Sequence, residues 1–224
     1  MSYDQTLSRV ETYFDQTATK TWERLTSDAP VSKIRQTVRV GRDNMRALML
    51  SRVPEDLRGA RILDAGCGTG MMSEELAKRG ANVVAIDISP SLIAIARKRL
   101  STHLKNQVTF KSGDMLDPAL GEFDYIFAMD SLIYYGTEQI CTAVVVLGQK
   151  PTQKVIFTVA PRTNLLMLMW YAGKLFPRSD RSPVMVPQFP QKLIKTAQGF
   201  GLMQDLGRVN SGFYISQAME FSAL

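Results

Sequence analysis

The stretch R-I-L-D-A-G-C-G-T-G, Arg61 to Gly70, decides how this chain reads. A short apolar run ends in Asp64, and Gly66, Gly68 and Gly70 follow at alternate positions. Glycines at that density let a backbone turn tightly and let another group approach it closely. The run before them reads as a buried strand, and Met71 to Lys78, stopped near Gly80, as a helix. Strand, glycine turn and helix in that order put the loop beyond the carboxyl end of a strand, where open α/β sheets bind their ligands.

Outward from this point the alternation continues. Val83 to Ile86 is a second strand, closed by Asp87, and Ser89-Pro90 opens the next helix with proline in its first turn. Val108 to Phe110, Phe123 to Met129 and Val155 to Val159 read as further strands. Leu202 to Arg208 and Phe213 to Phe221, separated by Asn210-Ser211-Gly212, read as a terminal hairpin. Ahead of the loop, Ser8 to Leu25 and about Lys33 to Val53 carry helical spacing, with Pro54 closing the second. Strands alternating with helices require a mostly parallel sheet covered on both faces. The expected fold is therefore a doubly wound, Rossmann-like α/β domain with seven strands, an antiparallel C-terminal hairpin, N-terminal helices and a lid insertion. The corresponding division is 1–58 helical cap, 59–160 ligand-binding core, 161–193 lid, and 194–224 helix end and hairpin.

Composition narrows the function. With 224 residues, 45% hydrophobic and 21% charged, the chain suits one globular domain with an appendage. A formal net charge of +6 favours anionic partners without choosing among them. The start, Met1-Ser2-Tyr3-Asp4-Gln5, lacks the pattern of a signal peptide. The aliphatic run Leu165 to Gly173 is about half the ~20 residues of a membrane span. Cys67, Cys141 and the lone His103 supply neither a disulfide framework nor a metal site. The expectation is a reduced, cytoplasmic protein with no protein-bound metal.

The acidic residues say more about the ligand. A dinucleotide loop wants G-x-G-x-x-G. Here the third glycine comes one residue early, and Met71 stands in its place. Asp64, Asp87, Asp114 and Asp130 all fall at or just past the ends of successive strands. Carboxylates there repel a pyrophosphate but attract an ammonium and a sulfonium. S-adenosylmethionine carries both, with a ribose diol for Asp87 and an adenine amino group for Asp114. On Asp64 to Gly70, Asp87, Gly113-Asp114-Met115 and Phe123 to Asp130, the chain resembles the class I methyltransferases across Gly59 to Ala160. The resemblance implies a cofactor set of Asp64, Gly66, Gly68, Gly70, Asp87, Ile88, Asp114, Met115 and Asp130.

The acceptor must be read from the appended segments. After the fourth strand comes Asp130-Ser131-Leu132-Ile133-Tyr134-Tyr135, unlike the Asn-Pro-Pro-Tyr pattern of enzymes that methylate nucleic-acid bases, so no nucleic-acid partner is expected. Pro161 to Leu193 opens on an apolar run, then turns basic and proline-rich at Lys174, Pro177, Arg178, Arg181 and Pro183. Either an adaptable apolar surface for a hydrophobic ligand or a core helix on the sheet fits that pattern. Arg35, Arg39, Arg42 and Arg46 fall at helical spacing, as an anion-binding stripe or a solvated basic face.

Further residues carry a closer resemblance: Tyr13-Phe14-Asp15 with Trp22, Val31 to Arg39, Gly41-Arg42, Asp130 to Tyr135, Phe157 to Thr163 and Ser211 to Ser216. On these the chain is similar, nearly end to end, to the magnesium-protoporphyrin IX O-methyltransferases of bacteriochlorophyll biosynthesis in their purple-bacterial form. Tyr134 stands where other branches of that family carry a histidine. The resemblance implies methyl transfer to a propionate of magnesium protoporphyrin IX, with Tyr134 orienting the reacting carboxylate. It implies porphyrin contacts from Arg35, Arg39, Arg162, Trp170 and Tyr134, an arginine gripping the non-reacting propionate. It also implies an encounter with the large porphyrin-binding subunit of magnesium chelatase, for which the arginine stripe is the candidate contact, and a peripheral position at the photosynthetic membrane. A propionic acid titrates near 4.3, so its carboxylate needs no general base at neutral pH. Two other readings remain: methylation of another apolar ring such as a quinone precursor, and a non-catalytic porphyrin carrier.

Overall fold

The computed structural model describes residues 2–15, 19–26, 30, 32–149, 151–163, 167 and 185–224. Its centre is β1, Arg61–Ala65, which pairs in parallel with β2, Asn82–Asp87, and with β4, Tyr125–Ala128. Outside these lie β3, Val108–Ser112, and β5, Lys154–Val159, again parallel. The long strands β6, Gly201–Ser211, and β7, Tyr214–Ala223, close the sheet as an antiparallel hairpin beside β5. The resulting order is β3-β2-β1-β4-β5-β7-β6. Strand order reverses between β1 and β4, which opens a crevice at their carboxyl ends.

Alternation along each strand feeds two cores. Ile62 of β1 joins one cluster with Met45, Met49, Leu76 and Ile93. These come from α3, Lys33–Leu50, α4, Met71–Lys78, and α5, Pro90–Arg99, on one face. Leu63 joins the other cluster with Ile140, Val144, Leu193 and Phe221. That face is covered by α6, Thr137–Leu147, and α7, Pro190–Ala197.

Several expectations change. Within the helix read over Ser8 to Leu25 the structure describes α1 at Tyr3–Tyr13 and α2 at Thr19–Leu25, and residues 16–18 lie outside the described residues. Helix α3 stops at Leu50 with Ser51 as its C-cap, ahead of Val53. The sequence reading left out α6, because Cys141 to Leu147 is too uniformly apolar and β-branched to show a helical period. The hairpin turn is Gly212-Phe213, since Asn210 and Ser211 still pair with Ile215 and Tyr214. The expected lid boundary at residue 193 is crossed by α7, which buries Leu193 and Ala197 fully in the core.

The insertion returns to the sheet at Gln188, whose N–H donates to Ala160 O at 2.7 Å and whose carbonyl accepts from Arg162 N at 2.8 Å. Its buried side chain also donates to Tyr135 O at 2.9 Å and accepts from the Thr137 hydroxyl at 2.8 Å. Both ends of the segment are thus tied beside β5. Trp170, Lys174, Pro177, Arg178, Arg181 and Pro183 lie outside the described residues.

Candidate functional site

The crevice at the switch point is an open cleft of about 970 Å³, counting the solvent space at its mouth. Its floor is the glycine loop. Gly66 N and Cys67 N both donate to Ile86 O, at 2.8 and 3.0 Å, folding the loop over the end of β2. Gly66 sits at φ 81°, and a Cβ there would come within 2.3 Å of the Ser131 side chain, so only glycine fits. Gly68 N–H donates to Asp87 Oδ2 at 2.8 Å, which locks loop to strand. Gly70, at φ 82°, turns the chain into α4 and is not among the residues that line the cleft.

Two buried carboxylates face this floor. Asp64 accepts the Ser73 hydroxyl at 2.5 Å, yet burial still pushes its pKa up to about 6. Asp87 accepts Ser89 N at 3.0 Å as well as Gly68 N, and burial raises its pKa too. Acids destabilised as anions by desolvation are stabilised by a cation placed beside them. That fits a ligand with an ammonium and a sulfonium. Ile88, Gly113 and Met115 continue this wall, and Asp114 stands beside it, accepting from Tyr3 Oη at 2.7 Å and Leu116 N at 2.9 Å.

Aromatic and basic side chains line the same cleft. Phe14, Trp22, Tyr134 and Tyr135 line it, with Arg42 and Arg46 from α3. Arg42 Nη1 meets Asp130 Oδ2 at 2.6 Å, and its guanidinium lies 4.8 Å from the Trp22 ring centroid. Asp130 carries φ 57°, uncommon for a non-glycine residue, and is held there from β5 and β7. Its N–H donates to Thr158 Oγ1 at 2.8 Å, and its carboxylate accepts from Tyr214 Oη at 3.1 Å and Ser216 Oγ at 3.4 Å. Arg46 pairs with Asp43 at 2.9 Å and reaches the Met71 sulfur at 3.6 Å. Burial, then the Asp130 charge, raise the Tyr134 pKa far above the ordinary value, so its hydroxyl stays protonated and can donate.

The N-terminal helices roof the cleft through polar ties. Asp15 accepts from Ser89 Oγ at 2.9 Å and Ser91 N at 3.1 Å. Thr69 Oγ1 of the glycine loop donates to Thr26 Oγ1 at 2.9 Å. The unpaired carbonyls at the end of α2 are capped by two arginines. Arg99 donates to Glu23 O at 2.6 Å and Thr26 O at 3.2 Å, and Arg39 to Arg24 O and Leu25 O, both at 2.7 Å.

Of the expected site residues, Asp64, Gly66, Gly68, Asp87, Ile88, Met115, Asp130 and Tyr134 line one cleft. Three basic candidates are placed elsewhere. Arg35 is exposed in the first turn of α3, Arg39 is spent on capping α2, and Arg162 lies exposed with its guanidinium 4.9 Å from the Phe189 ring centroid. The stripe is not one basic face either: Arg42 and Arg46 turn inward. Helical spacing alone could not distinguish them, because the roll of α3 against β7 sets which arginines meet the cleft. Ser131, Thr26 and Thr69 were likewise missed, since their roles arise from contacts between distant segments.

A doubly wound sheet of this order, with a glycine loop and acidic strand ends about one cleft, defines a class I S-adenosylmethionine-dependent methyltransferase. Residues 62–146 match a methyltransferase domain family, and residues 128–223 match the C-terminal family of magnesium-protoporphyrin IX methyltransferases. The magnesium-protoporphyrin O-methyltransferase of Rhodobacter capsulatus is 56% identical, over 98% of this chain and 97% of that protein. The crystal structure of magnesium protoporphyrin IX methyltransferase from Synechocystis with bound S-adenosylhomocysteine is 28% identical. It superposes with a TM-score of 0.80 over 99% of this chain and 100% of that one. A second crystal structure of the Synechocystis protein, with bound S-adenosylmethionine, superposes at 0.76 with 25% identity over 98% of this chain and 97% of that one. The chain belongs to the magnesium-protoporphyrin O-methyltransferase family.

Proposed function

We propose that the chain transfers a methyl group from S-adenosylmethionine to a propionate carboxylate of magnesium protoporphyrin IX, giving the monomethyl ester and S-adenosylhomocysteine. The observation that carries this is one cleft that gathers two cation-seeking carboxylates with arginines and aromatic side chains. When bound, the sulfonium supplies an activated methyl group. Asp64 and Asp87 favour its positive charge and the ribose hydroxyls, and Arg46, reaching Met71 beside the glycine loop, faces the cofactor's carboxylate. Tyr134 donates a hydrogen bond that orients the attacking oxygen. Positioning of this kind can supply ~7–11 kcal/mol.

A hydroxyl or ring-carbon acceptor would require a base. The single histidine, His103, lies exposed on a 3-10 turn away from the cleft walls, and Tyr134 holds its proton. The carboxylate acceptor needs neither. Incubation with S-adenosylmethionine and magnesium protoporphyrin should yield equal amounts of ester and S-adenosylhomocysteine, and a quinone precursor should yield none. No turnover of the porphyrin would overturn the reading.

The finer partner is the large porphyrin-binding subunit of magnesium chelatase, delivering an apolar substrate directly. Support comes from the exposed start of α3, where Ile34 and Arg35 lie near the hairpin tip with its exposed Phe213, tied by Ser211 Oγ donating to Thr37 O at 3.0 Å. Arg35→Glu should weaken that association, and rising salt should do the same. We place the protein in the cytoplasm, peripheral to the photosynthetic membrane. Among the described residues no helix is long and apolar enough to cross a membrane. Co-sedimentation with anionic vesicles tests the membrane contact.

A further inference from the structure

Porphyrin specificity requires a cation for the propionate that does not react, and the basic residues first expected there lie away from the cleft. Resting on the methyl-transfer reading above, we infer that Arg42, braced between Asp130 and Trp22, is the specificity-determining residue that grips this second carboxylate. Three observations converge on it. The Asp130 bond at 2.6 Å engages Nη1, while Nε is buried and meets no hydrogen-bond partner among the described residues. A buried guanidinium N–H without an acceptor is costly, and a ligand oxygen relieves that cost. The guanidinium is also fixed before any ligand arrives: Trp22 covers one face, and Asp130, itself held by Tyr214, Ser216 and Thr158, fixes the edge. Little side-chain entropy is then lost on binding.

Arg46 Nε is likewise buried with no partner among the described residues, so position within the cleft is what separates Arg42 from its neighbour. Arg46, one turn further along α3, reaches Met71 at the glycine-loop side. Arg42 meets Asp130, just past β4, on the side of Tyr134. A fork of two N–H groups matches a carboxylate in a way an ammonium cannot. Because Asp130 already neutralises much of the charge, the site favours a hydrogen-bonded carboxylate over a more highly charged phosphate.

The test compares porphyrin esters in the presence of saturating S-adenosylhomocysteine, with tryptophan fluorescence as the readout. Wild-type protein should bind magnesium protoporphyrin and its monomethyl ester similarly and the dimethyl ester about tenfold to a hundredfold more weakly. Arg42→Gln should bind all three alike, and Arg42→Lys, which keeps a cation beside Asp130, should lose most of the discrimination. S-adenosylhomocysteine affinity should stay within about twofold of wild type in both variants, setting this role apart from the cofactor's carboxylate. Wild-type protein that binds the dimethyl ester as tightly as the monoester would overturn the inference whether or not the variants fold. So would a folded Arg42→Lys protein with wild-type discrimination, or a loss of cofactor affinity equal to the loss of porphyrin affinity. Failure of the wild type to methylate magnesium protoporphyrin would instead reject the methyl-transfer reading itself.

Discussion

The Ser73 hydroxyl donates to Asp64 at 2.5 Å from the first turns of α4, yet Asp64 remains an acid whose burial lifts its pKa to about 6. One hydrogen bond does not replace the water that β1 and α4 exclude. Because the folded-state pKa exceeds the unfolded value of about 3.9, the folded protein holds the proton longer. This contribution to stability is complete below about pH 4 and lost as pH rises through about 6. A cationic ligand reverses the preference. S-adenosylmethionine affinity should fall as pH drops below about 6, and Asp64→Asn should flatten that slope to the part carried by Asp87. Calorimetry between pH 5 and pH 8, in buffers of different ionisation enthalpy, would detect the proton released on binding.

Asp87 has two tasks, and its loss should show both. Removing the carboxylate leaves Gly68 N and Ser89 N without their acceptors, at about 1–3 kcal/mol each. It also removes the oxygens expected to meet the ribose diol. Asp87→Ala should weaken S-adenosylmethionine at least tenfold and lower Tm by about 2–4 °C per kcal/mol lost. Titration calorimetry and thermal melts on the same preparation check the pair. Unchanged cofactor affinity with a lowered Tm would assign Asp87 to loop geometry alone.

Tyr134 should affect rate without adding a pH dependence. The propionate is ionised well below neutrality, so single-turnover methyl transfer at saturating ligands should be nearly flat from about pH 7 to 9. Tyr134→Phe should slow it roughly tenfold to a hundredfold through lost orientation while the profile stays flat. A tenfold rise across that range in the wild type would point to a hydroxyl or carbon acceptor.

Arg99 should control how firmly the roof is held. It supplies the carbonyls at the end of α2 with donors and reaches Thr26 Oγ1 at 2.7 Å, the same hydroxyl that meets Thr69 of the glycine loop. Arg99→Ala should speed amide exchange in α2 and raise the S-adenosylhomocysteine off-rate by about threefold to tenfold, with little change in α6 on the far face. Exchange mass spectrometry with and without ligand would show it. Equal exchange in wild type and variant would mean that packing, not the arginine, holds α2.

Much of this was legible from local pattern. The order of strands and helices, the glycine loop and the four aspartates at strand ends all repeat at short range, and a buried strand advertises itself through a run of apolar residues. Helix α6 was not legible, because its apolar residues cover too much of its circumference to show a period.

The sequence by itself determined the doubly wound sheet, the cofactor loop and the class of chemistry, because these rest on neighbours a few residues apart. Only the tertiary structure decided which arginines serve the cleft. A Cβ at Gly41 would lie 2.5 Å from the Tyr214 ring, so glycine there lets α3 settle against β7. That close approach carries Arg42 to Asp130, 88 residues away in the chain, while Arg39 turns to α2 and Arg35 to solvent. Helical periodicity can put four arginines near one face. Which of them meets the Asp130 carboxylate depends on the rotation of the helix about its own axis, and contacts with β6 and β7 set that angle.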